Sequence, residues 1–462
     1  MEFSRTHIEG GIVVTMEPGA APAAADIVVE DGRIAAIGAV GRVADAETID
    51  AAGRIVLPGL IDSHVHTWQT GLRGIATDWT VPQYMRAMHR GLATRFRPDD
   101  IRIANLMGAL AKLDAGVTTL VDWCHNNPTP EHTDAAIDGL EASGARAVFL
   151  HGSPKPDPGP GRKHFSEVPM PRAEIERLRA GRFASDDRLV TLGLAVLGPQ
   201  YGVREVCFAD YALARELDLI VSAHTGGGPP LSPGTFEALI EAGLIDTRSN
   251  IVHANNFAPE LTRALVGAGA NFTVTAEVEM QMGFGDPLTG VLRDFGASIT
   301  IGADVEPAAA GDMFTAMRTT LNVQRNMDNK ALLARGEPLP DTASITCRQA
   351  LEWVTVNGAA MTRMSDGIGT LAPGKQADIV LLRATDANLF PVHDPIGAAV
   401  RQAGPGNVET VLVAGRVVKR DGRLVFPGLS EKRDALMRSA TRILDEIGLV
   451  PGAPPPGGER DA

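Results

Sequence analysis

Val56-Leu57-Pro58-Gly59-Leu60-Ile61-Asp62-Ser63-His64-Val65-His66 is an apolar run that ends in two histidines separated by one residue. Side chains alternate between the two faces of a β-strand, so a strand here would direct His64 and His66 the same way. Two imidazoles on one face at the end of a strand form half of a metal site. A pair of surface histidines after a core strand would have the same spacing, so further ligands must come from elsewhere in the chain.

Size, charge and cysteine content exclude several classes of protein. The chain of 462 residues is long enough for a large core and more than one domain. Its net charge of -13 argues against a nucleic-acid or anionic-membrane partner. The three cysteines are far apart, which excludes a disulfide framework and fits a reducing cytoplasm. We found no charged-then-apolar leader and no apolar run of the ~18 residues that span a membrane, so we expect a cytoplasmic protein.

Short runs rich in β-branched residues occur at both ends of the chain. Asp31-Gly32 and Asp421-Gly422 each separate two such runs, and an Asp-Gly pair is a strong signal for a two-residue hairpin. We therefore predict one β-sandwich domain built from residues 1–57 together with 369–427. The segment 428–462 is predicted to contain a C-terminal helix over 430–447 and a loose, proline-rich tail.

The middle of the chain, residues 58–368, alternates short apolar runs with stretches of helical spacing. After the opening run, apolar runs recur at 118–122, 147–151, 189–197, 219–224, 250–253, 270–275 and 297–304. Eight such β-then-α units over roughly 300 residues predict an α/β protein with a (β/α)8 TIM barrel. A doubly wound open sheet is the alternative, but no GxGxxG motif opens any unit.

Polar residues follow several of these predicted strands directly. His64 and His66 end the first strand, His224 the fifth, His253 the sixth and Asp304 the eighth. Active-site residues of such barrels lie at the C-terminal ends of the strands. Any one of these residues could be a buried histidine or a helix cap. Their joint occurrence at strand ends instead predicts a shared site.

The chain resembles the amidohydrolase superfamily, in its cytosine deaminase/triazine (chloro)hydrolase-like branch. The resemblance rests on these strand-end residues and on the stretches 57–66, 114–119, 311–314, 369–380 and 413–418. It implies a distorted barrel, a β-sandwich from both termini, and one divalent metal ion, zinc or alternatively iron. The implied ligands are His64, His66, His224 and Asp304. Asp304 would also accept a proton from the metal-activated water, and His253 would bind the metal or the substrate.

One position departs from the deaminases of that branch. They usually carry a glutamate three residues after the strand-five histidine, and this chain has Gly227 there. Glycine cannot transfer a proton, so another acid is required if the substrate ring must be protonated. Glu279 is our candidate catalytic acid, and Glu277 and Glu306 are candidates for the same role or for substrate binding. Solvated loop carboxylates are the alternative reading of all three.

Other residues lie where loops should form the walls of a pocket. Gln69, Trp79, Trp123 and His125 follow the first two predicted strands, and we assign them to substrate binding. Aromatic side chains with a few polar groups suit a flat or apolar small molecule. Simple packing is the alternative for each of them.

The leading hypothesis is a metal-dependent hydrolase that attacks a C–N bond with a metal-activated water. Because of Gly227, we favour an amide, carbamate, urea or amine-substituted small molecule as substrate. A deaminase or dechlorinase of an N-heterocycle of the purine, pterin or triazine type is the second hypothesis. A non-catalytic ligand-binding barrel is the third. We expect no macromolecular partner except possible copies of the chain in a homo-oligomer.

Overall fold

The computed structural model describes residues 5–41, 43–156 and 159–450. The strands, in chain order, are β1 (Arg5–Val13), β2 (Ala23–Glu30), β3 (Arg33–Gly38), β4 (Glu47–Asp50), β5 (Arg54–Pro58), β6 (Leu60–Val65), β7 (Val117–Cys124), β8 (Arg146–Gly152), β9 (Val190–Val196), β10 (Ile220–His224), β11 (Ser249–Val252), β12 (Asn271–Val274), β13 (Ile299–Ile301), β14 (Ile379–Arg383), β15 (Val408–Val413), β16 (Arg416–Arg420) and β17 (Arg423–Leu424). Within these ranges the strands form two separate sheets.

Helices connect most of the strands and cover the larger sheet. In chain order they are α1 (Val81–Tyr84), α2 (Pro98–Asp114), α3 (Pro130–Ser143), α4 (Arg172–Ala180), α5 (Gly198–Tyr201), α6 (Arg204–Glu216), α7 (Thr235–Glu241), α8 (Pro259–Gly267), α9 (Ala276–Met282), α10 (Thr289–Asp294), α11 (Met313–Ala334), α12 (Cys347–Trp353), α13 (Val356–Met361), α14 (Pro395–Arg401) and α15 (Leu429–Ile447). In the part of the chain that is described, no helix is long and apolar enough to span a lipid bilayer.

The larger sheet is a barrel of parallel strands, β6 to β13, each paired with its neighbour in sequence. A bridge between Val65 and Asp304 joins the last strand to the first. There the Asp304 N–H donates to the His64 carbonyl at 2.8 Å, and the His66 N–H donates to the Asp304 carbonyl at 3.0 Å. The predicted eight-stranded barrel is confirmed, and its closure brings the first and last predicted strand ends together.

Gly59 divides the opening run, which the sequence presented as one strand, into two. β5 pairs with β1 and β14 in the smaller sheet, whereas β6 belongs to the barrel. A Cβ atom at Gly59 would lie 2.0 Å from Thr118 Oγ1, so only glycine allows this close approach to β7. The chain therefore passes from the smaller sheet to the barrel at this residue.

The smaller sheet is mixed and is built from both ends of the chain. Its order is β17-β16-β15-β14-β5-β1-β2-β3, with β4 beside β1. Asp31 and Gly32 have φ values of 46° and 77°, the left-handed geometry that a two-residue hairpin requires. Apolar side chains of its N-terminal strands, such as Ile27, meet those of its C-terminal strands, such as Leu412, in one cluster. The predicted α/β class with a β domain from both termini is confirmed. The exact domain boundaries stay predictions.

The C-terminal helix α15 begins at Leu429 and packs against α2. Asp100 on α2 accepts hydrogen bonds from Ser439 Oγ, at 2.6 Å, and from the Arg442 guanidinium. The predicted tail over 451–462 lies outside the described residues.

Candidate metal centre and its pocket

Four side chains converge at the C-terminal end of the barrel. His64, His66, His224 and Asp304 are buried, and one ligand atom from each lies within 4.8 Å of all the others. His64 Nε2 lies 3.1 Å from His224 Nε2, and His64 Nε2 and His66 Nε2 each lie 3.3 Å from Asp304 Oδ1. The four residues predicted at three strand ends thus form one metal-binding site.

The donor set fits a single divalent ion. Ligand atoms about 2.1 Å from a tetrahedral ion are about 3.4 Å apart, close to the separations observed here. Burial lowers the pKa of His64 to about 4 and that of His224 well below its usual value, so both imidazoles are neutral and offer lone pairs. Three neutral nitrogens and one carboxylate are a ligand set that zinc accepts.

A hydrogen bond to the backbone of β7 fixes the tautomer of His66. Its Nδ1 lies 2.8 Å from the Trp123 carbonyl, which can only accept, so Nδ1 carries the proton and Nε2 offers a lone pair. The Trp123 ring lies in the barrel interior, with its centroid 3.8 Å from that of His224. Trp123, predicted to bind substrate, instead forms the floor beneath the metal ligands.

Asp304 is held as a carboxylate. Burial favours its neutral form, but the close contacts of Asp304 with the His64 and His66 imidazoles outweigh burial and hold the pKa of Asp304 well below its usual range. Its φ of 61° is rare for a residue with a side chain. Left-handed backbone at such a residue is a form of strain that occurs at functional sites.

His253 lies beside the ligands, supported from behind by Glu279. Its Nε2 is 3.9 Å from Asp304 Oδ2, while its Nδ1 is 3.0 Å from Thr275 Oγ1 and 3.4 Å from Glu279 Oε1. Glu279 is fully buried and also accepts from the Thr275 N–H at 2.8 Å and from Asn255 Nδ2 at 3.1 Å. The candidate acid Glu279 therefore contacts His253 rather than the pocket, where it can orient the imidazole.

A buried charge cluster supports the first and last strands of the barrel. Lys112 Nζ lies 2.9 Å from Asp62 Oδ2 and 3.4 Å from Glu306 Oε1. Asp62 Oδ1 accepts from the backbone N–H groups of His64, at 3.3 Å, and Ala303, at 3.1 Å. Lys112 thereby fixes a carboxylate that joins two ligand-bearing strands.

Glu306, predicted to bind substrate, is occupied by this cluster. Besides Lys112, it pairs with Arg73 Nη2 at 2.8 Å and accepts from Thr70 Oγ1 at 3.0 Å. Burial raises the pKa of Glu306, but the charges of Lys112 and Arg73 outweigh it and lower the pKa overall. The structure places this carboxylate behind the ligand-bearing strands and away from the pocket.

Three other predicted substrate-binding residues also lie away from the pocket wall. Gln69 is buried and donates through Nε2 to Tyr84 Oη at 2.6 Å. Trp79 is 5% exposed and packs in the main hydrophobic core. Glu277 accepts from the Ala310 N–H at 3.0 Å, and burial raises its pKa. Gln69 contacts the pocket only through the tyrosine that it supports.

The pocket over the ligands is narrow and lined largely by aromatic side chains. Of the predicted residues, His66, His125, His224, His253 and Asp304 line it. Tyr84 and Met85, where we expect a helix that covers the site, line it as well. Sequence reasoning missed other lining residues, which are Val81, His89, Lys155, Tyr201, Val278, Met282, Phe284 and Val305. The Phe284 ring lies against His253 with centroids 4.5 Å apart.

His125 and His89 form a neutral hydrogen-bonded pair at one side of the pocket. His125 Nδ1 lies 3.3 Å from Trp68 Nε1, which can only donate, and 3.4 Å from the Trp123 carbonyl, which can only accept. His125 Nε2 lies 3.2 Å from His89 Nε2. Burial, helped by the charge of Lys155, lowers the pKa of both histidines well below the usual value.

Sequence and structure comparisons agree with this site. A profile of the Amidohydrolase family matches residues 285–418. The chain is 27% identical over 447 residues to a 5-methylthioadenosine/S-adenosylhomocysteine deaminase of Desulforudis audaxviator, covering 91% of this chain and 95% of the relative. It is 29% identical over 438 residues to an 8-oxoguanine deaminase of Pseudomonas aeruginosa, and this match covers 89% of this chain and 93% of the relative.

The fold also matches solved structures over nearly its whole length. Atrazine chlorohydrolase from Arthrobacter aurescens, solved in complex with zinc, superposes with a TM-score of 0.80 at 21% identity. The match covers 94% of this chain and 100% of that chain. The two proteins share the barrel and the sheet built from both termini.

Proposed function

We propose that the chain, which is similar to the amidohydrolase family profile and to the deaminases above, hydrolyses the bond between a ring carbon and an amino or alkylamino group of a flat, nitrogen-containing molecule. The observation that carries the proposal is the meeting of His64, His66, His224 and Asp304 beneath a narrow aromatic pocket. Zinc is the proposed ion, supported by the ligand set and by the zinc in atrazine chlorohydrolase. Such an ion, when bound, supplies the Lewis acidity that makes water a nucleophile near neutral pH.

Two residues of this chain would move protons during the reaction. Asp304, a carboxylate in this site, accepts a proton from the attacking water and delivers it to the leaving nitrogen. His253, held through Nδ1 by Thr275 and Glu279, presents Nε2 toward the oxygen that becomes negative as the tetrahedral adduct forms. Both act on a substrate carbon held above the ligands.

The aromatic walls favour a ring over an open-chain substrate. Tyr84, Tyr201 and Phe284 line the pocket, and aromatic side chains of this kind favour packing against a ring. The related deaminases of D. audaxviator and P. aeruginosa act on compounds that contain purine rings. Of the hypotheses drawn from the sequence, the one directed at an N-heterocycle therefore gains support.

A larger cleft next to the pocket could hold a substituent of the ring. It has a volume of about 430 Å³ and is bordered by Gln200, Thr225, Gly226 and Phe236. Thr225 and Gly226 directly follow the ligand His224 in the chain. We propose that it accommodates an extended apolar or sugar-like group.

An amide, carbamate or urea, the substrate class favoured from the sequence, becomes the second candidate. Gly227 favours it, because the chain offers no carboxyl group at that position to protonate a ring. The carbonyl carbon of such a substrate is electrophilic without ring protonation, and it would release an amine rather than ammonia.

A substrate panel with metal-loaded enzyme separates the candidates. Aminopurines, pterins and aminotriazines would be compared with aryl ureas, carbamates and amides, and ammonia and amine release would be measured separately. We expect turnover confined to the ring compounds. Turnover confined to ureas, carbamates or amides would refute the ring proposal in favour of the second candidate, and no turnover of either group would refute both.

We also propose a reducing cytoplasmic location, supported by Cys124, Cys207 and Cys347, which are all free thiols in the structure. A homo-oligomer stays a prediction, which light scattering of the purified protein would test.

A further inference from the structure

Lys155 lies in the loop that follows β8 and lines the same pocket as the metal ligands. We propose that Lys155 donates the proton to the substrate ring nitrogen that a carboxyl group at position 227 would otherwise supply. This inference rests on the proposed function, because it assigns a proton donor to that reaction.

The surroundings of Lys155 are unusual for a lysine. The residue is 7% exposed, and its Nζ lies 4.3 Å from the centroid of the Tyr201 ring, which also lines the pocket. A cation–π contact of this kind offsets only part of the cost of burying an ammonium group. A lysine kept in such a place at that cost is a candidate for function.

Groups on several elements face Lys155. They are Tyr201 after β9, Asp304 after β13, and the histidines His89, His125 and His224. Burial lowers the pKa of Lys155 to about 8, although the Asp304 carboxylate acts in the opposite direction. The side chain is therefore an ammonium at neutral pH that gives up its proton more readily than an ordinary lysine, as a general acid should.

Position 227 itself cannot provide the acid. Gly226, Gly227 and Gly228 all have positive φ, with a value of 76° at Gly227. A side chain at Gly227 would be strained in this conformation, and its Cβ would already contact Val81 and Phe284 at 3.5 and 3.7 Å. The loop is therefore shaped for residues without side chains.

Other proton-bearing groups that line the pocket, among the described residues, have different partners. His66 and His224 are metal ligands, His253 is paired with Glu279, and His89 and His125 are paired with each other. Burial raises the pKa of Tyr201 to about 12 and raises that of Tyr84 still further above its usual range. Lys155 remains as the group whose proton is available near neutral pH.

The proton balance closes with Lys155 in this role. Its ammonium protonates the ring nitrogen as water adds to the neighbouring carbon and Asp304 takes one water proton. Asp304 passes that proton to the leaving nitrogen, and the C–N bond breaks to release ammonia or an amine. As the new carbonyl forms, the neutral Lys155 takes the remaining hydroxyl proton and becomes an ammonium again.

The test compares wild type with Lys155→Met and Lys155→Arg on a ring substrate from the panel above. Lys155→Met retains a chain that can lie on the Tyr201 ring, so we expect unchanged metal content and KM within about threefold. Its kcat should fall about 10²–10³-fold, the size of a lost general acid. Wild-type kcat should decline above pH about 8, and Lys155→Arg should shift that decline to higher pH.

Other outcomes overturn the proposal. Unchanged kcat in Lys155→Met would do so, as would a raised KM alone, which would mean that Lys155 only binds the substrate. A decline of kcat at alkaline pH that is the same in Lys155→Arg as in wild type would also do so.

A readout that needs no substrate is trace acetylation of Lys155 at a series of pH values, measured by mass spectrometry. A midpoint near the ordinary lysine value of about 10.4 would overturn the assignment. Failure of the proposed function shows separately, as wild type that turns over no ring substrate.

Discussion

Replacing Lys112 with methionine should lower the free energy of unfolding by about 3–5 kcal/mol at pH 8, because it leaves buried carboxylates without their cation. Lys112 is 1% exposed, and its Nζ contacts Asp62 at 2.9 Å and Glu306 at 3.4 Å. Burial raises the pKa of Asp62 and Lys112 opposes that rise, while the charge of Lys112 helps to lower the pKa of Glu306, so removing Lys112 lets both pKa values rise. The two carboxyls are then neutralised more easily in acid.

The loss of stability should therefore depend on pH. Glu306 has a folded pKa below its unfolded value in wild type, so its contribution is present at neutral pH and is lost in acid. In Lys112→Met the unpaired carboxylates destabilise the folded protein most at pH 8 and least near pH 5. Protonating a carboxylate in acid restores about 1.4 kcal/mol of unfolding free energy for each unit by which the substitution has raised its pKa. The difference from wild type should narrow steadily as the pH falls.

Urea unfolding followed by tryptophan fluorescence at pH 8, 6.5 and 5 measures this difference. Lys330→Met is the matched control, since Lys330 is exposed on α11 and should change stability by less than about 0.5 kcal/mol. A loss below about 1 kcal/mol in Lys112→Met, or a loss that is the same at all three pH values, would refute the reasoning.

Two further changes probe other parts of the structure. Glu279→Gln should reduce kcat about 10–100-fold with unchanged metal content, because His253 loses the charge that orients it. Glu260→Gln, on the exposed face of α8, is the control. Equal kinetics of Glu279→Gln and wild type would remove Glu279 from this role. Asp210 is buried, and burial raises its pKa to about 7, so its contribution to stability is present below its unfolded pKa near 4 and is lost as the pH rises through about 7. In Asp210→Asn the free energy of unfolding, measured by urea titration, should therefore depend less on pH between pH 4 and 7 than in wild type. The same pH dependence in both proteins would contradict the assignment.

The sequence predicted the barrel and the four ligands because both follow from regular patterns. Each barrel strand is a short apolar run, and a polar residue directly after a parallel strand must lie at the C-terminal end of the barrel. The HxH spacing directs both imidazoles to one side of the first barrel strand. The closure of the barrel between Val65 and Asp304 then brings the Asp304 carboxylate to these imidazoles. Such information is local to each strand end and needs no knowledge of side-chain packing.

The pocket walls were less predictable, because they depend on contacts between distant residues. Glu306 was a candidate for substrate binding, but it forms an ion pair with Lys112, almost two hundred residues earlier in the chain. Trp123 lies on the strand face that points into the barrel, where it packs against His224. Lys155 and His89 lie in irregular or short segments without periodicity, so nothing in the sequence directed attention to them. The short strand β4 was missed for a similar reason, since its four residues show no apolar run.

The central claim is that one divalent ion, held by His64, His66, His224 and Asp304, is required for C–N bond hydrolysis. Metal analysis of the purified protein, set beside turnover of a ring substrate, tests it most directly. Wild type should carry about one equivalent of zinc or a similar ion, His224→Ala should carry much less, and Asp304→Asn should retain metal but lose turnover. Full activity in metal-free wild type, or wild-type turnover in Asp304→Asn, would contradict the account.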